Sequence, residues 1–244
     1  MSQTVTETRF KVHETFTLKQ LLHPTETQIE QCAVMFADLM KDDDVVPAIC
    51  GGDTNLLKPL VLAMIRAGVL DGETYAATNE NDEVLGYVMT MPKGQVLFST
   101  DEQRKGLAEY MALLSEEGKK YYAEVYLKSF PQFVAKCIDP ETMIDVWWLH
   151  IVMTRERSQR QGIATGLIRM ILDKVNSSTA HTRGCVTELL TKATAAGDTV
   201  ALSTTSAINV PIYERMGFKL KGERGDTSPW GVWALSVLRY EPEN

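Results

Sequence analysis

The chain has 244 residues, 44% of them hydrophobic and 23% charged, with no Gly or Pro bias; that is ordinary globular composition and excludes a disordered or fibrous chain. A formal net charge of -7 argues against a nucleic-acid partner, because phosphate binding needs clustered Lys and Arg. Cys32, Cys50, Cys137 and Cys185 lie far apart with no CxxC pair, so neither a metal site nor a disulfide framework is expected. No run of about 18 apolar residues marks a membrane span, and the N-terminus lacks the apolar core of a signal peptide. A cytoplasmic setting with no membrane partner is the expectation.

In chain order, residues 8–18 read as extended. HPTETQIEQCAVMFADLMKDDD predicts a helix: Thr25 and Gln28 form a capping-box pattern, and Ile29, Ala33, Phe36 and Met40 recur at helical spacing. The run Asp42 to Asp44 reads as its solvated end. Leu56 to Ala67 predicts a second helix with Pro59 in its first turn and Gly68 as its stop. TYAATNENDEVLGYVMTM reads as a hairpin about Asn79 to Asp82.

From Thr100 to Ile138 the pattern is helical, with Leu107, Tyr110, Met111 and Leu114 on one face and Tyr122, Val125, Tyr126, Phe133 and Cys137 on another, punctuated by Gly118 and Pro131. MIDVWWLHIVMT is apolar on both faces, as a central strand requires. RERSQRQGIATGLIRMILDK joins it to a helix that the polar Asn176-Ser177-Ser178 should break. Further helix is predicted around Val186 to Ala195, then the strand TVALST, a short helix in NVPIYERMG stopped by Gly217, and two strands, FKLKGE and WGVWALSVL, separated by turn residues from Gly222 to Pro229. The central strand, its helix and TVALST form a crossover unit, whereas the hairpins imply antiparallel edges. The fold class is therefore α/β (α+β) with a mixed sheet, and no repeat or linker divides residues 1–244.

A helix start offers N–H groups without intrahelical acceptors and carries partial positive charge, so it suits an anion. In QRQGIA, Gly162 lets the backbone approach a bulky group, Ala164 stays small, and Arg160 adds a charge. Phosphate or pyrophosphate is the natural ligand. Neither GxxxxGK[ST] nor GxGxxG occurs, which removes the best support for a nucleotide-binding α/β protein.

Gln159-x-x-Gly162-x-Ala164 resembles the [Q/R]xxGx[G/A] loop of the GNAT superfamily of acyl-CoA-dependent N-acyltransferases. Some fifty residues on, Asn209-Val-Pro-Ile-Tyr213-Glu-Arg-Met-Gly217-Phe218 is similar to that family's NxxxxYxxxGF segment. The resemblance covers about residues 143–224 and implies a GNAT-like, mostly antiparallel sheet with flanking helices, and residues 96–140 as a helical insertion before the central strand. It implies acetyl-CoA as cosubstrate, no metal, and a small-molecule amine or amino-acid-like acceptor. The pyrophosphate would lie on Gln159, Arg160, Gln161, Gly162, Ile163, Ala164 and Thr165, after Val152, Met153 and Thr154 on the strand, with Asn209 on the pantetheine arm and Tyr213 near the sulfur. Arg160, where relatives often carry glycine, Thr154 and Pro211 depart from the pattern.

Acyl transfer from a thioester to an amine needs a neutral amine, stabilisation of an oxyanion, and a proton for the thiolate. In such a fold the central strand splays from its neighbour, so the N–H of Val152 or Met153 is the expected oxyanion donor. Tyr213 is the expected general acid, since a phenol near pKa 10 can protonate a thiolate whose thiol is near 8.5; a Tyr that only positions the cofactor is the alternative. His150 is the candidate base, against a core histidine, with Glu141, Asp145 or a water chain left open. Trp147 and Trp148 should face opposite sides of the strand. The aromatic stripe reads as the packing face of inserted helices, or as a lid over the acceptor. The rival to an enzyme is a non-catalytic acyl-CoA-binding regulatory module.

Overall fold

The computed structural model describes residues 15–183 and 198–241, the side chains of 177–183 excepted. The helix expected around Val186 to Ala195 and most of the extended segment 8–18 lie outside them. Among the described residues, β1 (Thr17–Gln20) is the first strand, and α1 (Glu26–Met40) follows with the capping box in place: the Thr25 hydroxyl accepts from the Gln28 N–H and the Gln28 side chain accepts from the Thr25 N–H. A short α2 (Val45–Ile49) leads to α3 (Leu57–Asp71), which has Pro59 in its first turn and runs past Gly68 to end at Gly72. Gly68 is there for proximity rather than as a stop. A Cβ on it would meet the Met89 sulfur at 2.2 Å.

The hairpin forms as β2 (Glu73–Thr78) and β3 (Val84–Met91), and every residue of β3 is buried, as befits a strand covered on both faces. Next come α4 (Asp101–Leu113), α5 (Glu116–Tyr121), a π-helical stretch (Tyr122–Ser129) and α6 (Phe130–Cys137). The break falls at Leu114 and Ser115, where Ser115 caps α5. Gly118 lies inside α5, its Cα against Gly51, and Pro131 sits in the first turn of α6.

β4 (Trp147–Thr154) is followed by α7 (Ile163–Arg183), β5 (Val200–Thr204), α8 (Val210–Glu214), β6 (Phe218–Ser228) and β7 (Gly231–Tyr240). Two expectations fail here. Asn176-Ser177-Ser178 does not break α7, because burial of Leu167, Ile168, Ile171, Leu172 and Val175 on one stripe outweighs weak local propensity. β6 runs on through Gly222 to Ser228, so the hairpin turn is confined to residues 229–230.

The seven strands order as β1-β2-β3-β4-β5-β7-β6, antiparallel except for β4 with β5. α7 and α8 cover one face, burying Trp147, Leu149, Leu167, Ile171, Leu202, Tyr213 and Phe218. The other face carries α1 to α3, packed with Tyr87, Ile151, Trp233 and Leu235, and α6, packed with Trp148, Ala201 and Val237. Trp147 and Trp148 therefore enter opposite cores, as strand alternation requires.

Candidate acyl-donor and acceptor site

β4 and β5 pair only over Trp147 to Leu149 with Val200 to Leu202; from His150 onward β4 stays with β3, while Ser203 and Thr204 pair with β7 alone. A gap opens between the strands on the C-terminal side of Leu149. The register against β3 jumps from Leu149↔Thr90 to Ile151↔Met89, which makes His150 the surplus residue of a β-bulge.

That bulge decides which amides face the gap. The Arg155 N–H donates to Leu85 O at 2.8 Å, in register with Tyr87↔Met153 and Met89↔Ile151. Hydrogen-bonded pairs alternate in an antiparallel ladder, so Ile151 and Met153 turn their amides to β3 and Val152 and Thr154 turn theirs to the gap. The Thr154 carbonyl takes the Gln159 side chain at 3.2 Å. Of the two oxyanion donors expected, the Val152 N–H faces the gap and the Met153 N–H is turned to β3.

The loop after β4 is built to leave its helix start bare. Ser158, fully buried, and Gln159 close tight turns onto Arg155 and Glu156, and the first hydrogen bond of α7 runs from Gly166 N–H to Gly162 O at 2.8 Å. The N–H groups of Ile163, Ala164 and Thr165 consequently have no intrahelical acceptor. Gly162 has φ +83° and nothing within 4 Å of where a Cβ would stand, so the space over these amides is open. Arg160 also takes φ +64°, and among the described residues no carboxylate pairs with its exposed guanidinium. The hydroxyl of Thr154 is buried without a partner beside this start. Amides, a spare hydroxyl and a free cation fit the diphosphate of coenzyme A. Gln161 fits less well: its amide N–H2 donates to Arg157 O at 3.4 Å, and its buried carbonyl oxygen, an acceptor, lacks a partner.

Gly86 on β3 sets the helix in place. A Cβ there would lie 2.7 Å from the Ile163 side chain and 2.9 Å from Met153 O, so the glycine lets α7 begin against the sheet.

Across the gap, α8 follows β5. Asn209 donates through Nδ2 to the Thr204 hydroxyl at 3.1 Å. The Tyr213 ring is buried edge-on to Phe218 at 5.9 Å, and its hydroxyl has no hydrogen-bond partner among the described residues. Burial pushes this phenol up to about 12. It stays protonated across the whole working range.

His150 lies on the face opposite α7, edge-on to Trp148 at 6.4 Å, with Nε2 sealed and unpartnered. Burial alone pushes the imidazole down to about 3, since no carboxylate offsets the loss of solvent. Glu141 and Asp145 precede β4 and sit at its far end. Glu141 is engaged by Arg239 at 2.7 Å and Thr199 at 2.9 Å, and Asp145 caps Thr142. Neither reaches the gap.

Sequence reading missed the carboxylate that does border this face. Asp43, assigned above to a solvated helix end, is half-buried; it accepts from the Val45 N–H at 3.0 Å and from the Thr205 hydroxyl at 2.8 Å, and Thr205 directly follows β5. The only local signal was Asp43 two residues before a helix start, the spacing of an Asx turn.

No family model and no curated protein sequence matches the chain. Solved structures do. The chain superposes with a TM-score of 0.54 on mosquito arylalkylamine N-acetyltransferase like 5b, at 12% identity over 91% of this chain and 99% of that one. On a Corynebacterium glutamicum protein described as histone acetyltransferase HPA2 and related acetyltransferase, the TM-score is 0.52 at 14% identity, covering 94% and 98%. On arylalkylamine N-acetyltransferase 2 from Aedes aegypti it is 0.51 at 14% identity, covering 92% and 97%. The chain has the fold of the GNAT acetyltransferases.

Proposed function

We propose that the protein is an N-acetyltransferase that binds acetyl-CoA at the start of α7 and transfers the acetyl group to the amine of a small molecule by direct attack. The observation that carries this is the open cradle of unpaired amides at Ile163 to Thr165, set at the mouth of the gap between β4 and β5. The amides, Arg160 and the Thr154 hydroxyl hold the diphosphate; Asn209 borders the gap where the pantetheine arm would run. The Val152 N–H donates to the thioester oxygen as it gains charge, a kind of contact worth about 3–4 kcal/mol elsewhere. Tyr213 supplies the proton to the leaving thiolate, which its protonated state allows.

His150 contributes differently from a conventional base. Taking a proton from an ammonium near pKa 10 with an imidazole near 3 would be uphill by about 10 kcal/mol. With its neutral Nε2 sealed, it is a packing and positioning group beneath the gap rather than a proton acceptor, and the amine arrives, or becomes, unprotonated without it. That same weak basicity favours a second reading, a non-catalytic acyl-CoA-binding module.

A thiol-release assay across a panel of amines, run beside calorimetric titration with acetyl-CoA, separates the two. Turnover with any primary amine supports the enzyme. Binding of acetyl-CoA with no turnover supports the module, and absence of binding removes both.

A further inference from the structure

The loop that bares the amides of α7 holds an unfavourable backbone. Arg160 at φ +64° and Gly162 at φ +83° are both left-handed, and the Arg160 side chain resists that conformation. Bonds inside the loop, such as the Ser158 N–H to Arg155 O at 2.9 Å and the Gln161 side chain to Arg157 O at 3.4 Å, shape its turns without fixing its place on the sheet. Ties to the start of β3 fix that place. The Arg155 N–H donates to Leu85 O at 2.8 Å, the Arg155 Nε donates to Val84 O at 2.7 Å, and the Arg157 Nη2 donates to Glu83 Oε2 at 2.7 Å.

The β2–β3 turn makes Glu83 a firm anchor. The Asn79 side chain accepts from the N–H groups of Asn81 and Glu83, both at 3.0 Å, and its amide donates to Glu83 Oε2 at 3.1 Å. Two adjacent carboxylates then serve different elements. Asp82 turns to β1 and α1, taking Lys19 at 2.6 Å and Gln28 at 2.9 Å, whereas Glu83 turns to the loop, with Arg157 in contact and the Arg155 Nε at 3.7 Å from its other oxygen. Charge alone argues against a carboxylate in this position. Glu83 stands against two arginines of a loop proposed to receive a diphosphate, and by Coulomb's law it repels that ligand. Its effect on the shape of the loop accounts for a group that charge disfavours.

We infer that Glu83 is a positioning residue for the diphosphate cradle: through Arg157, and with the Arg155 ties beside it, it holds residues 155–162 in the arrangement that leaves the first amides of α7 open. The inference rests on the acetyl-CoA reading above and names a residue outside both sequence motifs. Glu83 enters none of the bond changes.

The test titrates the full chain with acetyl-CoA in a calorimeter. Removing Glu83 has opposite effects under the two accounts: as a bare charge its loss tightens binding, and as a positioning group its loss weakens it. Glu83→Gln is expected to weaken acetyl-CoA binding about three- to fivefold, the range open to a partly exposed ion pair, and Glu83→Asp to recover part of the loss. Arg157→Gln is expected to give a similar loss, and the double variant no more than either alone, because both break one contact; it also stands in for Glu83→Gln should that variant fold poorly. Asp82→Asn, on the same turn, is expected to keep affinity within about twofold of the wild type. Unchanged or tighter binding in Glu83→Gln, additive losses in the double variant, or an equal loss in Asp82→Asn overturns the inference. If the wild type binds no acetyl-CoA, the cradle reading fails by itself, and hydrogen exchange of the free protein decides the role of Glu83. Faster exchange across residues 155–165 in Glu83→Gln than in Asp82→Asn supports it, and equal exchange overturns it.

Discussion

Single side chains at this site are controlled more by what they lack than by what they touch. Tyr213 is buried with a free hydroxyl, so its proton is available to a ligand and to nothing else among the described residues. Tyr213→Phe keeps the ring packing on Phe218 and removes the proton, and kcat is expected to fall about 10²-fold with little change in acetyl-CoA affinity. Unchanged turnover in a steady-state assay would take the acid role away. His150 makes a statement about stability. The unfolded chain takes up a proton near pH 6.5 that the folded chain refuses down to about 3, so folding binds fewer protons and the contribution is complete above pH 6.5 and lost as pH falls below it. Urea midpoints measured from pH 7 to pH 4 should decline, and His150→Gln should flatten that decline. Superimposable curves for the two proteins would remove the buried imidazole as its cause.

At the scale of elements, the loop from Arg155 to Gly162 and the first turn of α7 form one unit, the proposed diphosphate cradle. Gly162→Ala puts a side chain at φ +83°, costing about 1–2 kcal/mol, and places a methyl group in the open space over the amides. Acetyl-CoA affinity is expected to weaken about tenfold or more, at about 1.4 kcal/mol per decade, and the melting temperature to fall by about 2–8 °C from the backbone strain; calorimetric titration beside a melting curve checks both. The strand, the loop and the bare helix start were legible in the sequence because an apolar run, a glycine and a helical stripe follow one another within a few positions. The capping box of α1 was legible for the same local reason. The stop assigned to Gly68 and the break assigned to Asn176-Ser177-Ser178 were misread because packing decided them: a methionine needs the room at Gly68, and the buried stripe of α7 holds its helix together.

Across the whole molecule, the face opposite α7 beside the gap draws on Asp43, Tyr126, Phe130, His150, Trp148 and Thr205, residues scattered over most of the chain. No window of sequence contains the pattern, so reading by spacing could find neither Asp43 nor its partner Thr205. The helical segment 101–137 is tied into the sheet rather than laid upon it: Val134 and Ile138 are buried with Trp148, Ala201 and Val237, and Arg224 of β6 reaches Ser129. Ile138→Ala is therefore expected to cost about 2–5 kcal/mol and to lower the melting temperature of the whole chain in one transition. A separate early transition in calorimetry would mean that the segment unfolds on its own. Among the described residues no helix is long and apolar enough to cross a membrane.

The bulge on β4 acts as a phase shifter. Upstream of it, odd-numbered amides look toward β5; downstream, even-numbered ones look into the space β5 has vacated. Had β3 carried one more residue opposite His150, the ladder would run unbroken and the duties of neighbours would be exchanged: the Val152 N–H would be spent on the ladder and the Met153 N–H would look into the vacated space instead.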